Sequence, residues 1–503
     1  MPHGSTHYDI LAPRSRFYQG PFGRICGELP PWEPNASDID TFFLDFANTQ
    51  MVELPGKTPG EIAADNNIVA QLEADFGSKI PAGYTYFGQF IDHDITFDPT
   101  SSLMRRNDPN GLLNFRTPRL DLDNVYGQGP AEQPYLYDAS EAHQKFLIGN
   151  IDCTALRDLP RNIQGRALIG DMRNDENAMV SQLQLAFLLA HNELVDRARM
   201  HGDTDPFESA RRTLRWLYQH IVWNDFIRRI AVDEVYKCAL SLEKLCGGRM
   251  GWETGLDDIY QWKNTPFMPV EFSVAAYRFG HSMVRNSYQT NQLHRGFQDF
   301  APIFDNSGTS TDPDDLRGFR PMKKENVIQW DWFLDMTSSQ GPFPQRARKI
   351  DTKLSNALAA LHEDAVGSPL NVLAYRNLKR SYTFGLPSGT SVARKYCLKE
   401  ATLQADQPDS LWYYILREAE SLPGANSGEM LWRLGSTIVC AVFAGLLKGD
   451  PQSYFNIEPC WTPEQDSLLT VGQDNVDDAS WTLASIIRLS GLPVDDNDVT
   501  NQT

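Results

Sequence analysis

The chain has 503 residues, 41% of them apolar and 22% charged, with 46 Lys and Arg against 65 Asp and Glu for a formal charge of −19. Those fractions exclude a disordered or fibrous chain. The acidic excess excludes a general nucleic-acid or anionic-membrane binder, whose phosphate contacts need clustered Lys and Arg.

The start, Met1 to His7, carries no basic segment followed by an apolar run, so no secretory signal is read there. Residues 1–75 are expected to form an irregular arm, because Pro30, Pro31 and Pro34 interrupt helices and Gly and Pro recur up to Gly60. That arm packs on one domain spanning residues 76–503. Helical periods dominate from Ala82 onward. Val180, Leu183, Phe187 and Leu194 predict a helix over Asn177–Met200. Phe207–Leu245 and Pro269–Arg285 read as two further helical tracts, and Leu411–Glu420 and Glu429–Lys448 add more. Asp305–Asp315 lacks the Gly and terminal Glu of an EF-hand and reads as a solvated loop. Leu434 to Leu447 is uncharged and apolar, but 14 residues fall short of the ~20 a bilayer span needs, so a buried core helix is expected. Alternating strand patterns are scarce. The fold class is mainly α, a single large helical domain with little β. Seven cysteines without a CxxC pair argue for reduced thiols and against a zinc site. The expected location is the cytoplasm, or export without a conventional signal peptide.

Four segments hold chemistry-bearing residues. In Tyr84-Thr-Tyr-Phe-Gly-Gln-Phe-Ile-Asp-His-Asp-Ile-Thr-Phe97, Gln89 and His93 share a helix face, with Asp92 and Asp94 flanking the histidine. Alone this is equally a helix end with a capping aspartate. In Val270 to Val284, His281 lies near an apolar stripe and follows Gly280, a poor helix former that lets a flat group approach closely. A buried histidine there is either hydrogen-bonded or bound to metal. In Gly170-Asp-Met-Arg-Asn-Asp-Glu-Asn177, Arg173 and Glu176 fall on one side of a helical turn that Asp171 is placed to cap. In Thr117-Pro-Arg-Leu-Asp-Leu-Asp123, Thr117, Asp121 and Asp123 offer oxygen ligands suited to Ca²⁺, or form a solvated loop.

Taken together and in this order, the segments resemble the animal-type haem peroxidases of the peroxidase–cyclooxygenase superfamily. The likeness is carried by Gly88-Gln-Phe-Ile-Asp-His-Asp-Ile-Thr-Phe97, Val125-Tyr-Gly127, Gly170-Asp-Met-Arg-Asn-Asp-Glu176, Tyr277-Arg-Phe-Gly-His281, Asn377-Leu-Lys-Arg-Ser381 and Gly385-Leu-Pro387. Matching segments run from about residue 80 to 460. The sparse cysteines look like those of a bacterial member.

The resemblance implies roles for particular residues. His93 resembles the distal histidine, with Gln89 beside it, and Arg173 the distal arginine. His281 resembles the proximal iron ligand, and Asn377 the residue that accepts from its other ring nitrogen. Arg278 and Arg380 resemble arginines that neutralise haem propionates. Asp92 and Glu176 resemble carboxylates that esterify haem methyl groups. Asp94, Thr117, Arg119 through its backbone carbonyl, Asp121 and Asp123 resemble calcium ligands. The implied cofactors are haem b and Ca²⁺. The implied partners are H₂O₂ and a small donor or halide, oxidised through a ferryl intermediate, in an enzyme that responds to oxidative stress.

Two departures shape that reading. Asn177 stands where one member of the family has a methionine that forms a sulfonium link to haem, so that link is excluded and chloride should be a poor donor. Arg278 stands where cyclooxygenases and fatty-acid dioxygenases carry a tyrosine. On an α-helix Tyr277, one residue away, would be turned by about 100° from that direction. The expected activity is therefore oxidation of phenols, iodide, bromide or thiocyanate with H₂O₂. The alternatives are a fatty-acid dioxygenase on the same fold, or a peroxidase-like adhesion module without catalysis, against which the intact His93, Arg173 and His281 argue.

Overall fold

The computed structural model describes residues 18–19, 22–96, 118–151, 154–244, 249–262, 265–293, 296, 299–305, 314–336, 338–339, 341–361, 371–470 and 481–501. The fold is mainly α. Among the described residues the strands are short and form one three-stranded and four two-stranded sheets, none of them closed into a barrel.

The centre is a pair of largely buried helices. Ala178–His201 starts at Asn177, whose side chain accepts from the Val180 N–H. It packs on Gly83–Ile95, where Phe90 stacks on Phe187 with ring centroids 4.5 Å apart. Phe87 meets Tyr218 and Phe226 edge-on, which brings in the Pro206–Ile221 helix and the turn after it. Aromatic contacts of this kind add to area burial. Arg433–Gly449 is buried from Leu434 to Leu447, as its apolar run predicts. The buried Glu418 carboxylate accepts from the Leu434 and Gly435 N–H groups, which otherwise lack partners at a helix start.

Four expectations need correction. Residues 39–76 are not irregular: they hold the helices Ile39–Gln50, Pro59–Ala63 and Asn66–Phe76, and Phe43, Phe46 and Ala47 join the main core. Asp38, Thr58 and Asp65 cap the three starts, signals that the prolines obscured. The tract from 207 is interrupted by a π-helix at Val222–Ile227, restarts at Asp233–Ala239, and ends in a strand at Ser241–Lys244. The tract from 269 is helical but not α: a π-helix, Glu271–Ala275, runs into a 3₁₀-helix, Ala276–Met283. Finally, Asp315 is fully buried between Arg317 and Arg320, at 2.7 and 3.0 Å, so this end of the acidic segment is a structural anchor. The five described cysteines, 26, 238, 397, 440 and 460, are unpaired. No helix among the described residues is long and apolar enough to cross a membrane.

Candidate active site

Gly83–Ile95 is buried along nearly its whole length, and the 3₁₀-helix Ala276–Met283 runs beside it. Between them lies a cavity with about 1130 Å³ of space free of protein atoms, the solvent at its mouth included. Gln89, Asp92, His93, Arg173 and Glu176 line it together with Arg278, His281 and Arg380. Four sequence segments, around residues 89–93, 173–176, 278–281 and 380, therefore meet at one cavity. Among the cavity-lining glycines, Gly280 faces open space, with no heavy atom within 4 Å of where a Cβ would sit. That leaves room for a flat group against the backbone next to His281.

The His93 wall is held by a continuous set of hydrogen bonds. Nδ1 of His93 lies 2.7 Å from Oδ1 of Asn174, and Asn174 Nδ2 donates to Gln184 Oε1 at 2.7 Å. The Gln184 contact orients the Asn174 amide, so His93 carries its proton on Nδ1 and presents a free Nε2. Burial, and then the charge of Arg173, push the His93 pKa down to about 4, so the ring is neutral at neutral pH. Arg173 is fixed by Asp171, which caps the Met172–Asp175 turn and accepts from Nε and Nη2 of the guanidinium at 3.1 and 2.7 Å. Burial opposes its charge, but Asp171 outweighs the penalty and raises its pKa. Gln89 Nε2 donates to Glu176 at 3.0 Å and Asn177 Nδ2 donates to Gln89 Oε1 at 3.1 Å, which fixes the Gln89 amide. Desolvation raises Glu176 to about 7.

This turn is braced from behind. Gly318 N–H donates to the Glu176 carbonyl at 2.9 Å and Phe319 N–H to the Asp175 carbonyl at 2.7 Å. A Cβ at Gly318 would sit 1.6 Å from the Asp175 oxygen, so only glycine permits the approach. Arg161 grips Asp175 with both Nη atoms at 2.7 and 2.8 Å.

The His281 wall is built differently. Asn377, on the Leu373–Thr383 helix, sits with its amide 2.8 Å from Nδ1 of His281. As placed, Nδ2 faces the ring; with the amide turned over, Oδ1 accepts from Nδ1–H and frees Nε2 as a ligand. Burial, and the arginines 278, 380 and 376, hold the His281 pKa well below its usual value. Arg278 pairs with Asp92 at 3.3 Å. The stripe Leu373, Arg376 and Arg380 faces the cavity.

Two of these features escape a reading of the sequence by motif. Asn174 and Gln184 were signalled only by polar residues on a buried helix face. Arg376 was signalled by a second arginine one turn from Arg380 on one face. Tyr277 also differs from expectation. It lines the cavity together with Arg278 and donates to the Gly88 carbonyl at 3.2 Å.

The calcium residues are brought partly together. Asp94 is fully buried and accepts from the Leu122 N–H at 3.2 Å, which sets the His93 helix against the loop of Asp121 and Asp123, beside Arg119. Thr117 lies outside the described residues. Among the described residues no three His, Cys, Asp or Glu side chains are grouped as a metal site.

The mainly α fold thus gathers two histidines, an arginine and paired carboxylates around one cavity. The animal haem peroxidase family model matches residues 101–407, well over half of the chain, and the chain belongs to that family. The match begins after the His93 segment and includes Asn377 and Arg380. A peroxidasin homologue of Caenorhabditis elegans is 23% identical over 412 residues, 73% of this chain and 29% of that protein. Heme peroxidase 2 of the same organism is 25% identical over 42% of this chain and 36% of its own length. Thyroid peroxidase of Canis lupus familiaris is 26% identical over 60% of this chain and 31% of its own. The chain thus spans about a third of the length of these relatives. Among solved structures, peroxidase A from Dictyostelium discoideum superposes with a TM-score of 0.61 at 16% identity, covering 94% of both chains. Oryza sativa fatty acid alpha-dioxygenase gives 0.54 at 15% identity, over 92% of this chain and 77% of that one.

Proposed function

We propose that this protein is a haem peroxidase that reduces H₂O₂ and oxidises small donors such as phenols, iodide, bromide or thiocyanate. The observation that supports it is the pair of differently prepared histidines on one cavity: His93 with Nε2 free beside Arg173, and His281 with Nδ1 engaged by Asn377.

His281 would hold haem iron through Nε2, with Asn377 orienting its ring. Arg278 and Arg380 would face the propionates. When bound, haem supplies the iron at which the O–O bond breaks and through which electrons leave the donor. His93 accepts a proton from H₂O₂ at Nε2 and returns it to the departing oxygen. Arg173, anchored by Asp171, stabilises the negative charge that this oxygen gains. Gln89, held by Asn177 and Glu176, keeps a polar amide at the same face. Asp92 and Glu176 are the carboxylates available for ester links to haem. Calcium between Asp94 and the 121–123 loop would keep the His93 helix in place, with Thr117, Arg119 and the two loop aspartates completing its oxygen ligands. We also take residues 1–75 as a segment packed on the 76–503 domain.

A second reading, a fatty-acid dioxygenase, gains from Tyr277, whose phenol lines the cavity. The deciding experiment records the absorption spectrum before and after H₂O₂, then compares guaiacol and bromide turnover with oxygen uptake on linoleate. Peroxide-dependent spectral change with guaiacol and bromide oxidation is expected. Rapid peroxide-independent oxygen uptake without them would replace the peroxidase by the dioxygenase. Acid–acetone extraction and elemental analysis of the same protein read the esters and the calcium.

A further inference from the structure

Arg376 is buried, 2% exposed, and lines the cavity. Among the described residues its Nη1 has no hydrogen-bond partner and no carboxylate lies within 4.0 Å of it. Its neighbours are provided for: Arg278 meets Asp92, and Arg173 meets Asp171. Glu176 feels its charge, but the Glu176 carboxylate is hydrogen-bonded by Gln89 instead. Burial, with Arg278 adding repulsion, lowers Arg376 only to about 10, so it stays charged at neutral pH. An uncompensated buried charge costs several kcal/mol, and this cost is removed when an anion fills the cavity.

The anion's chemistry follows from the surroundings. A guanidinium offers a planar fork that fits two carboxylate oxygens. Leu373 sits one turn away, and Leu358 reaches the same cavity from the Asn356–Ala359 helix. A bare halide would leave those apolar walls unfilled, whereas an organic acid covers them.

We infer that Arg376 anchors a carboxylate-binding subsite in the cavity, filled by a propionate of bound haem or by a free organic acid. This rests on the haem reading for one of its two sources only. The shared chemistry is the carboxylate, and the sources separate experimentally. Benzoate and its neutral analogue benzamide are titrated by calorimetry into haem-free protein, haem-loaded protein, and protein loaded with haem dimethyl ester. Haem release to an acceptor is timed in parallel. If a free acid is the ligand, the haem-loaded wild type prefers benzoate by about tenfold or more, and Arg376→Gln abolishes the preference. If a propionate is the ligand, that preference is absent with haem and appears with the dimethyl ester. In that case Arg376→Gln releases haem about tenfold faster but leaves release of the ester unchanged. Arg376→Lys keeps the charge and should retain part of either effect, which separates lost charge from a collapsed cavity. No benzoate preference in any of the three forms, with unchanged haem release in Arg376→Gln, overturns the inference. A protein that takes up no haem overturns the peroxidase reading, and the haem-free titration still decides Arg376.

Discussion

The two walls of the cavity solve opposite problems. On the His93 wall each functional side chain is satisfied by the protein itself: Asn174 and Gln184 behind His93, Asp171 behind Arg173, Asn177 and Glu176 around Gln89. It stands on an α-helix and on a turn clamped by Gly318 and Arg161. The His281 wall is a π-to-3₁₀ segment with Asn377 on the ring and a row of arginines, one of them with an Nη1 that has no hydrogen-bond partner among the described residues. A wall that must act on a transient charge is rigid in advance. On the proposed reading the other wall holds a group that carries its own anions, and it leaves donors to spare.

That contrast can be broken first at the histidines. His281→Ala should lose most bound haem, because on the proposed reading it removes the protein ligand to iron; haem content per chain, from the absorption ratio, measures it. His93→Ala should keep haem and react with peroxide about 10²–10⁴-fold more slowly, the usual cost of losing a general acid–base. Stopped-flow mixing with H₂O₂ checks this, and a wild-type rate in His93→Ala would remove His93 from the mechanism.

A finer cut replaces the residues behind each ring. Asn377→Ala should weaken haem binding by about 10–100-fold, as for other partners of metal ligands. Asn174→Ala should leave haem affinity unchanged and slow only the peroxide reaction. Equal losses of haem in both variants would mean that the walls are not separate.

The rigid backing of the His93 wall is tested at Gly318. Gly318→Ala forces a Cβ into the Asp175 carbonyl and should cost about 1–3 kcal/mol of stability, as overpacking does. Chemical denaturation of the haem-free protein reads it without interference from the cofactor.

The smallest effect lies outside both walls, at a buried titratable group that is fully satisfied. His191 donates from Nε2 to the Gln144 carbonyl and accepts from the Tyr126 hydroxyl at Nδ1, both at 3.0 Å. Burial lowers its pKa from 6.5 to about 4. The unfolded chain therefore takes up a proton first, and the contribution of His191, complete above about pH 6.5, is lost as pH falls towards 4. By about pH 5.5 the loss should reach roughly 1 kcal/mol. His93, His220 and His281 are lowered in the same direction, so denaturation curves at pH 7 and 5.5 should show a larger total loss in wild type, reduced by roughly 1 kcal/mol in His191→Phe.

The sequence alone determined whatever is written within one or two helical turns. The Asn177–Met200 and Leu411–Glu420 helices, the buried run from Leu434 and the cap at Asp171 are local patterns of spacing and side-chain chemistry, and the structure reproduces them. The candidate residues were legible for the same reason: short polar clusters stand out in apolar helices. Tertiary structure decided the rest. Asn174 meets His93 across 81 positions, and Asn377 meets His281 across 96. No periodicity encodes contacts between such distant segments. The 271–283 segment winds as π and 3₁₀ because packing against the Gly83–Ile95, Leu373–Thr383 and Leu411–Glu420 helices outweighs the α preference of its residues, and Tyr277 there lines the cavity. Arg376 is an ordinary helical arginine in one dimension. It becomes a buried charge awaiting an anion only when the fold closes around it.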